Sequence, residues 1–240
     1  MDSRERLHRH TGRPCKVRGC ERRSTGPRRL CCAHAINRQR HGHELQTGVR
    51  VSEIASTKKW LRKWIRSRAS GDKIWQGILD DWQLLRDKAR AGLREMQMPG
   101  KAGYAWMYHA LWDIVKVGGD ADPEDVVLTV MAMTCLREDN PRRFVDDRSF
   151  RFQVSRRFRT LSEHNVSTWT NSHQGKPRRC YRTPSPRHAN IIGDMLMEVG
   201  VHGLAIHMKW ATEMAEAQAR RQATASAISQ SEAKAPSTQT

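Results

Sequence analysis

Four side chains suited to gripping a metal ion, Cys15, Cys20, Cys31 and His34, fall within a stretch of twenty residues that has almost nothing apolar to bury. The sizeable apolar side chains there and just beyond are Val17, Leu30, Ile36 and Leu45, too little surface to offset the entropy of ordering the backbone. A segment of this kind folds around a cross-link or not at all. The spacing Cys-x4-Cys-x10-Cys-x2-His suits structural zinc, which accepts thiolate and imidazole at four tetrahedral corners without a ligand-field preference. Val17, Arg18 and Gly19 can form the tight turn that aims two thiolates inward, and Cys31 and His34 share one side of a starting helix. Zinc in such a site supplies on the order of 10 kcal/mol of folding energy. The fourth corner stays open at this stage, because Cys32 adjoins Cys31 and His41 or His43 could stand in for His34.

The six cysteines of the chain read as thiols or metal ligands before they read as disulfides. Residues 1–13 are charged throughout and carry no apolar signal segment, which points to a reducing, cytoplasmic setting. No apolar run approaches eighteen residues, so no bilayer span is expected. The stretch CKVRGCERRSTGPRRLCCAHAINRQRHGHE resembles the small zinc knuckle of the form C-x-x-x-G-C, then L-C-x-x-H, then a basic helix and a glycine, found in bacteriophage and mobile-element proteins. Some carriers are His-Asn-His nucleases that use the knuckle as a DNA-binding accessory. The resemblance implies zinc on Cys15, Cys20, Cys31 and His34, places Asn37, Arg38, Arg40 and His41 in the basic helix, and implies a phage or mobile element of a bacterial host. It covers about thirty residues, and the rest of the chain resembles nothing named here.

Charge narrows the choice of partner. With 43 Lys+Arg against 25 Asp+Glu the 240 residues carry a formal +18, and the excess is clustered. Residues 1–50 hold thirteen basic and four acidic side chains and 142–187 hold twelve and three, whereas 101–150 are net acidic. Two basic blocks around a near-neutral centre are the footprint of a nucleic-acid binder, since displacing counterions from phosphates drives association whatever the base sequence. Duplex DNA is favoured over RNA, and a protein partner is a further candidate.

Periodicity gives a mainly α fold. Ile54, Trp60, Leu61, Trp64 and Ile65 recur at helical spacing with Lys58, Lys59, Arg62, Lys63 and Arg66 off the stripe, an amphipathic basic helix. A second stripe through Ile74, Trp75, Ile78, Leu79, Trp82 and Leu85 makes 51–100 a helical hairpin. A helix over 104–117 follows. Asp122-Pro123-Glu124-Asp125 combines a cap, a first-turn proline and acids at the positive end of the helix dipole, starting a helix to about 138. Phe150, Val154, Phe158 and Leu161 mark a helix over 149–162. Residues 166–183 read as a β-hairpin, Ser185-Pro186 caps the next helix, a last one runs over 203–222, and the Ala/Ser/Thr/Gln-rich 223–240 reads as a disordered tail. The expected organisation is a flexible basic arm (1–14), a zinc knuckle (15–50), the hairpin (51–100) and a helical domain (101–222).

The order helix, helix, helix, hairpin over 104–183 matches a winged helix-turn-helix. In that plan Arg148, Arg151 and Arg159 reach a groove or phosphates, and Lys176, Arg178, Arg179 and Arg182 form wing contacts, with Arg38, Arg40 and the 58–66 cations adding phosphate contacts. The connection 138–149 is long for a tight helix-turn-helix. No catalytic constellation assembles. His164 with Asn165, and Asp146 with Asp147, are the candidates a divergent nuclease would need, and an interaction adaptor with an acidic protein partner is the other alternative.

Overall fold

The computed structural model describes residues 13–24, 29–67, 71–100, 103–170, 177–199 and 201–233. Among them are eight α-helices and one β-hairpin in the order α1 (Cys32–His41), α2 (Val51–Arg66), α3 (Gly71–Met96), α4 (Ala105–Asp120), α5 (Pro123–Asp139), α6 (Asp147–Arg159), β1 (Val166–Thr170), β2 (Pro177–Tyr181), α7 (Pro186–Glu198) and α8 (Val201–Ala233). The fold is mainly α, as the periodicity predicts. None of these helices is long and apolar enough to cross a membrane.

The centre is α5. Every residue from Val126 to Cys135 is buried, so the helix is surrounded rather than amphipathic. Its start follows the predicted capping: the Asp122 side chain accepts from the Glu124 amide, with Pro123 in the first turn. Two threonines inside this apolar stretch satisfy their hydroxyls on the preceding turn, Thr129 donating to the Asp125 carbonyl and Thr134 to that of Val130. Around α5 pack α2, α6, α8 and α3, while α4 bridges α3 to α7. One continuous core runs from Val49 through Trp82, Ile114, Leu128 and Phe158 to Met208. The boundary expected near residue 100 therefore falls inside a single hydrophobic unit, because the stripes of α2 and α3 are buried mainly against α5 and α4 rather than only against each other.

Three further expectations change. Helix α8 continues to Ala233, well past 222: alanines carry high helix propensity even where no core is available, and its side chains from Glu213 to Ala227 are exposed. Residues 234–240 lie outside the described residues. At the other end, the expected basic arm includes Arg13 and Pro14, yet Pro14 bridges Arg23 and the Arg13 carbonyl accepts from the Ser24 amide; the rest of the arm, 1–12, lies outside the described residues. The hairpin forms with Val166 opposite Tyr181 and Thr170 opposite Pro177, but α6, the helix that a winged plan would send into a groove, buries Phe150, Phe152, Gln153, Val154, Ser155, Phe158 and Arg159. It packs against α7, α5, α4 and α1 and so belongs to the interior.

Candidate metal centre and basic trough

The amino-terminal segment builds its site from backbone first. The Cys20 amide donates to the Val17 carbonyl at 3.1 Å, closing a turn in which Gly19 takes φ of 77°. Bonds from the Cys15 amide to the Arg22 carbonyl and from the Lys16 amide to that of Arg29 fold the strand back on itself. Cys31 sits at the N-cap of α1 and His34 one turn inside it. As a result the ligand atoms of Cys15, Cys20, Cys31 and His34 all lie within 4.8 Å of one another. His34 Nδ1 is 3.3 Å from both Cys15 Sγ and Cys31 Sγ, and Cys20 Sγ is 4.0 Å from Cys31 Sγ. With metal–sulfur bonds of about 2.3 Å, tetrahedral corners stand about 3.8 Å apart, so the cluster can hold a metal ion with little rearrangement.

The electrostatics of the sulfurs suit that task. Burial raises the Cys15 thiol, but the Cys31 and Val17 amides and the His34 and Cys20 side chains outweigh it and bring the pKa down to about 6, leaving Cys15 ionised at neutral pH, the ligating form. The Arg22 amide lowers Cys20, yet burial and the adjacent Cys15 and Cys31 sulfurs move it upward, as expected of thiols that share one negative charge without a cation. The alternatives for the fourth corner are settled by position. Cys32 points outward, His41 Nδ1 lies 2.8 Å from Arg156 Nη1, and His43 Nδ1 accepts from the Leu45 amide.

The knuckle is docked to the helical body through α1. Gly42 ends α1 with φ of 90°, and a Cβ there would stand 2.8 Å from Phe152 Cβ, so the left-handed turn and the close approach both require glycine. Gln153 donates to the His41 carbonyl and accepts from the Val49 amide. Arg143 donates to both Glu53 carboxylate oxygens, at 2.8 and 3.2 Å, and to the Gly48 carbonyl.

The predicted phosphate contacts differ in their surroundings. Lys58 and Arg62 are engaged by the acidic first turn of α5: Lys58 Nζ lies 3.3 Å from Asp125 and donates to Thr129, and Arg62 donates to Glu124 and Asp125 at 2.6 and 2.9 Å. Arg159 is a correction. Only 7 % exposed, it donates from Nε to Asp113 Oδ2 at 2.6 Å, from Nη1 to the Arg182 carbonyl and from Nη2 to Asn165 Oδ1. It is a strut that ties the base of the hairpin to α4, not a groove contact, because Asp113 is itself buried and its carboxylate needs a cation. The same carboxylate lies 2.9 Å from His188 Nε2. Arg151 pairs with Asp194 at 3.1 Å and Arg66 approaches Glu124 at 4.0 Å. Arg38, Arg40, Lys59, Lys63, Arg148 and Arg182 are exposed. Lys176 lies outside the described residues, and Arg178 and Arg179 lie on β2 with side chains outside the described set.

Two cavities join some of these cations in a way that sequence spacing does not reveal. One, of about 740 Å3, lies between the knuckle and the start of α7, with Lys16, Arg29 and Arg38 on one wall and Thr183 to Pro186 on the other. The second, of about 290 Å3, begins at the same Thr183 and Pro184 and is lined by Arg156, Arg157, Arg159 and Arg182. Sharing Thr183 and Pro184, they lie side by side as a basic trough between the knuckle and the hairpin base with no carboxylate among its described lining residues, although Glu44 lies 3.8 Å from Lys16 Nζ. Lys16, Arg29, Arg156 and Arg157 were not singled out from sequence; the basic blocks flagged their neighbourhoods, but the convergence is tertiary. The nuclease candidates do not converge on a site: Asp146 caps α6 through the Ser149 amide, Asp147 accepts from Arg137, His164 packs on the Trp112 ring, and Asn165 accepts from Arg159. No protein family, curated protein or solved structure matches the chain.

Proposed function

We propose that the protein binds nucleic acid, with duplex DNA as the preferred form, along the trough between knuckle and hairpin base, and that a structural zinc ion holds the knuckle in place. The observation that carries this reading is the pair of adjoining cavities whose walls bring Lys16, Arg29 and Arg38 together with Arg156 and Arg182, with no carboxylate among the described lining residues and Glu44 reaching Lys16 from outside the lining at 3.8 Å. Guanidinium matches phosphate oxygens in a planar fork, and a concave basic surface concentrates a polyanion better than scattered charges do. Three thiolates and one imidazole suit zinc, and zinc would act by folding rather than by chemistry. The resemblance of residues 15–43 to knuckles of phage and mobile-element proteins agrees with a regulatory or replicative role in such an element.

The test is a binding titration against salt with duplex DNA, single-stranded DNA and RNA of one length. Five contacting cations give a log–log slope near −4.5 on duplex DNA, at about 0.9 per neutralised phosphate. Replacing Lys16, Arg29 and Arg38 by glutamine lowers the slope by about 3 on the same scale, whereas the same change at Lys58 and Arg62 leaves it unaltered. A parent protein that ignores all three polymers at low salt removes the proposal.

A further inference from the structure

We propose that the inner cavity of the trough is a discrete phosphate site, built to take a doubly charged phosphate monoester such as the end of a nucleic-acid strand or a nucleotide. The proposal deepens the nucleic-acid reading and rests on it only for the source of the phosphate, not for the site. Three features of the cavity point the same way.

First, two of its cations, Arg156 and Arg182, lack counter-charge among the described residues. Arg159 is neutralised by Asp113 and pinned at Nε, Nη1 and Nη2, so it forms a wall. Arg156 and Arg182 have no carboxylate within ion-pair distance among the described residues, and Arg157 lines the same space. Arg156 instead meets two neutral acceptors, His41 Nδ1 at 2.8 Å and Gln153 Oε1 at 3.4 Å. Burial, with Arg157 and Arg40 nearby, brings its pKa down to about 10, and burial with Arg156, Arg40 and Arg143 brings that of His41 down to about 4. Positive charge is thus accumulated in a partly desolvated place, where an anion is worth more than at a free surface.

Second, a buried donor lacks an acceptor. Asn165 is 3 % exposed and lines the cavity; its Oδ1 accepts from Arg159, but its Nδ2 has no hydrogen-bond partner. A buried amide donor left unsatisfied costs about 1–3 kcal/mol, and an anion oxygen that closed onto Asn165 would supply the acceptor. Thr183, also in the lining, offers a hydroxyl donor, whereas the Thr160 hydroxyl already donates to the Arg157 carbonyl at 2.8 Å.

Third, the size is suitable. At about 290 Å3 the cavity far exceeds a single water, about 30 Å3, and stands at the small end of the range that holds organic ligands, about 300–1,000 Å3. A phosphate with part of its sugar fits this scale, and Thr183 and Pro184 line the larger cavity as well, which puts room for the rest of a strand beside it.

The experiment is isothermal titration of the metal-loaded full chain with inorganic phosphate against a chloride background of equal ionic strength. Saturable one-to-one binding is expected, weakened at least tenfold in Arg182→Gln, whose exposed side chain makes no intramolecular bond among those described, and in Arg156→Gln. Tryptophan fluorescence checks that both variants are folded. Heats no larger than the chloride control for the parent protein, or unchanged affinity in folded Arg182→Gln, overturn the site. Competition among phosphate, a nucleoside 5′-monophosphate, and oligonucleotides with and without a 5′-phosphate then assigns the source: preference for the phosphorylated end is expected, and equal binding of the two oligonucleotides overturns a monoester site. Phosphate binding without polynucleotide binding would sink the nucleic-acid reading and spare this one; the reverse result would do the opposite.

Discussion

Exchanging Cys20 for serine should unfold the knuckle and leave the helical body standing. The two share no buried apolar residue: Cys15, Leu30 and Cys31 form one cluster, with Val17, Cys20 and Ala35 against it, and the core from Val49 to Met208 forms the other. Ordering the fifteen described residues of 13–24 and 29–31 costs about 15 kcal/mol at roughly 1 kcal/mol each. Burying Leu30 and its small neighbours returns roughly 5 kcal/mol. A metal contribution of about 10–16 kcal/mol closes the gap, and nothing else in the segment is large enough to do so. Loss of one thiolate should therefore release the described residues of 13–24 and 29–31. Limited proteolysis reads this directly, since Arg22, Arg23 and Arg29 become cleavable by trypsin. Tryptophan fluorescence reads the body alone, because all eight tryptophans lie at or beyond Trp60. Rapid cleavage with an unchanged fluorescence melt is the expected result, and chelation of the parent should reproduce it. A knuckle that stays protease-resistant in Cys20→Ser would refute the energetic argument, and a collapse of the tryptophan signal would refute the independence of the two cores.

Two other perturbations probe the docking and the interior. Asp113→Ala leaves Arg159 buried without its carboxylate and should cost about 3–5 kcal/mol, a fall of roughly 6–20 °C in melting temperature for a body of this size; a change below 1 kcal/mol would mean that water reaches the guanidinium. The pKa of His41 is brought down to about 4, first by burial and then by Arg156, Arg40 and Arg143. Because the unfolded chain binds this proton more readily, its contribution to stability is present above about pH 6.5 and is lost as pH falls toward 4. His41→Gln keeps an acceptor for Arg156 and should flatten the stability profile in that window, as followed by urea titration at successive pH values; an unaltered slope rules His41 out as its source.

Much of the architecture was legible because it is local. Asp122-Pro123 and Ser185-Pro186 mark helix starts through capping chemistry that needs no tertiary partner, and the stripes of α2 and α3 announce which faces seek a core. The spacing of Cys15, Cys20, Cys31 and His34 carried the candidate metal centre, although choosing His34 over His41 and His43 needed to know that Arg156 and the Leu45 amide occupy the other two imidazoles. What the sequence hid is pairing across distance. Arg159 reads as a solvent-facing cation until Asp113, 46 residues earlier, is found beside it. Lys58 and Arg62 read as phosphate contacts until the first turn of α5 comes within reach. The trough is hidden for the same reason, since Arg38 and Arg182 approach one surface only after α1 and α7 have docked.

Gln153 holds the main chain at His41 and again at Val49, so the intervening loop is a ring with one side chain for its clasp. A clasp of that kind sets alignment, not survival. Both hydrophobic clusters would persist without it, and Arg143 and Arg156 would still hold Gly48 and His41, but the two ends of the loop would no longer be fixed to one another, and the walls of the trough would lose a common reference.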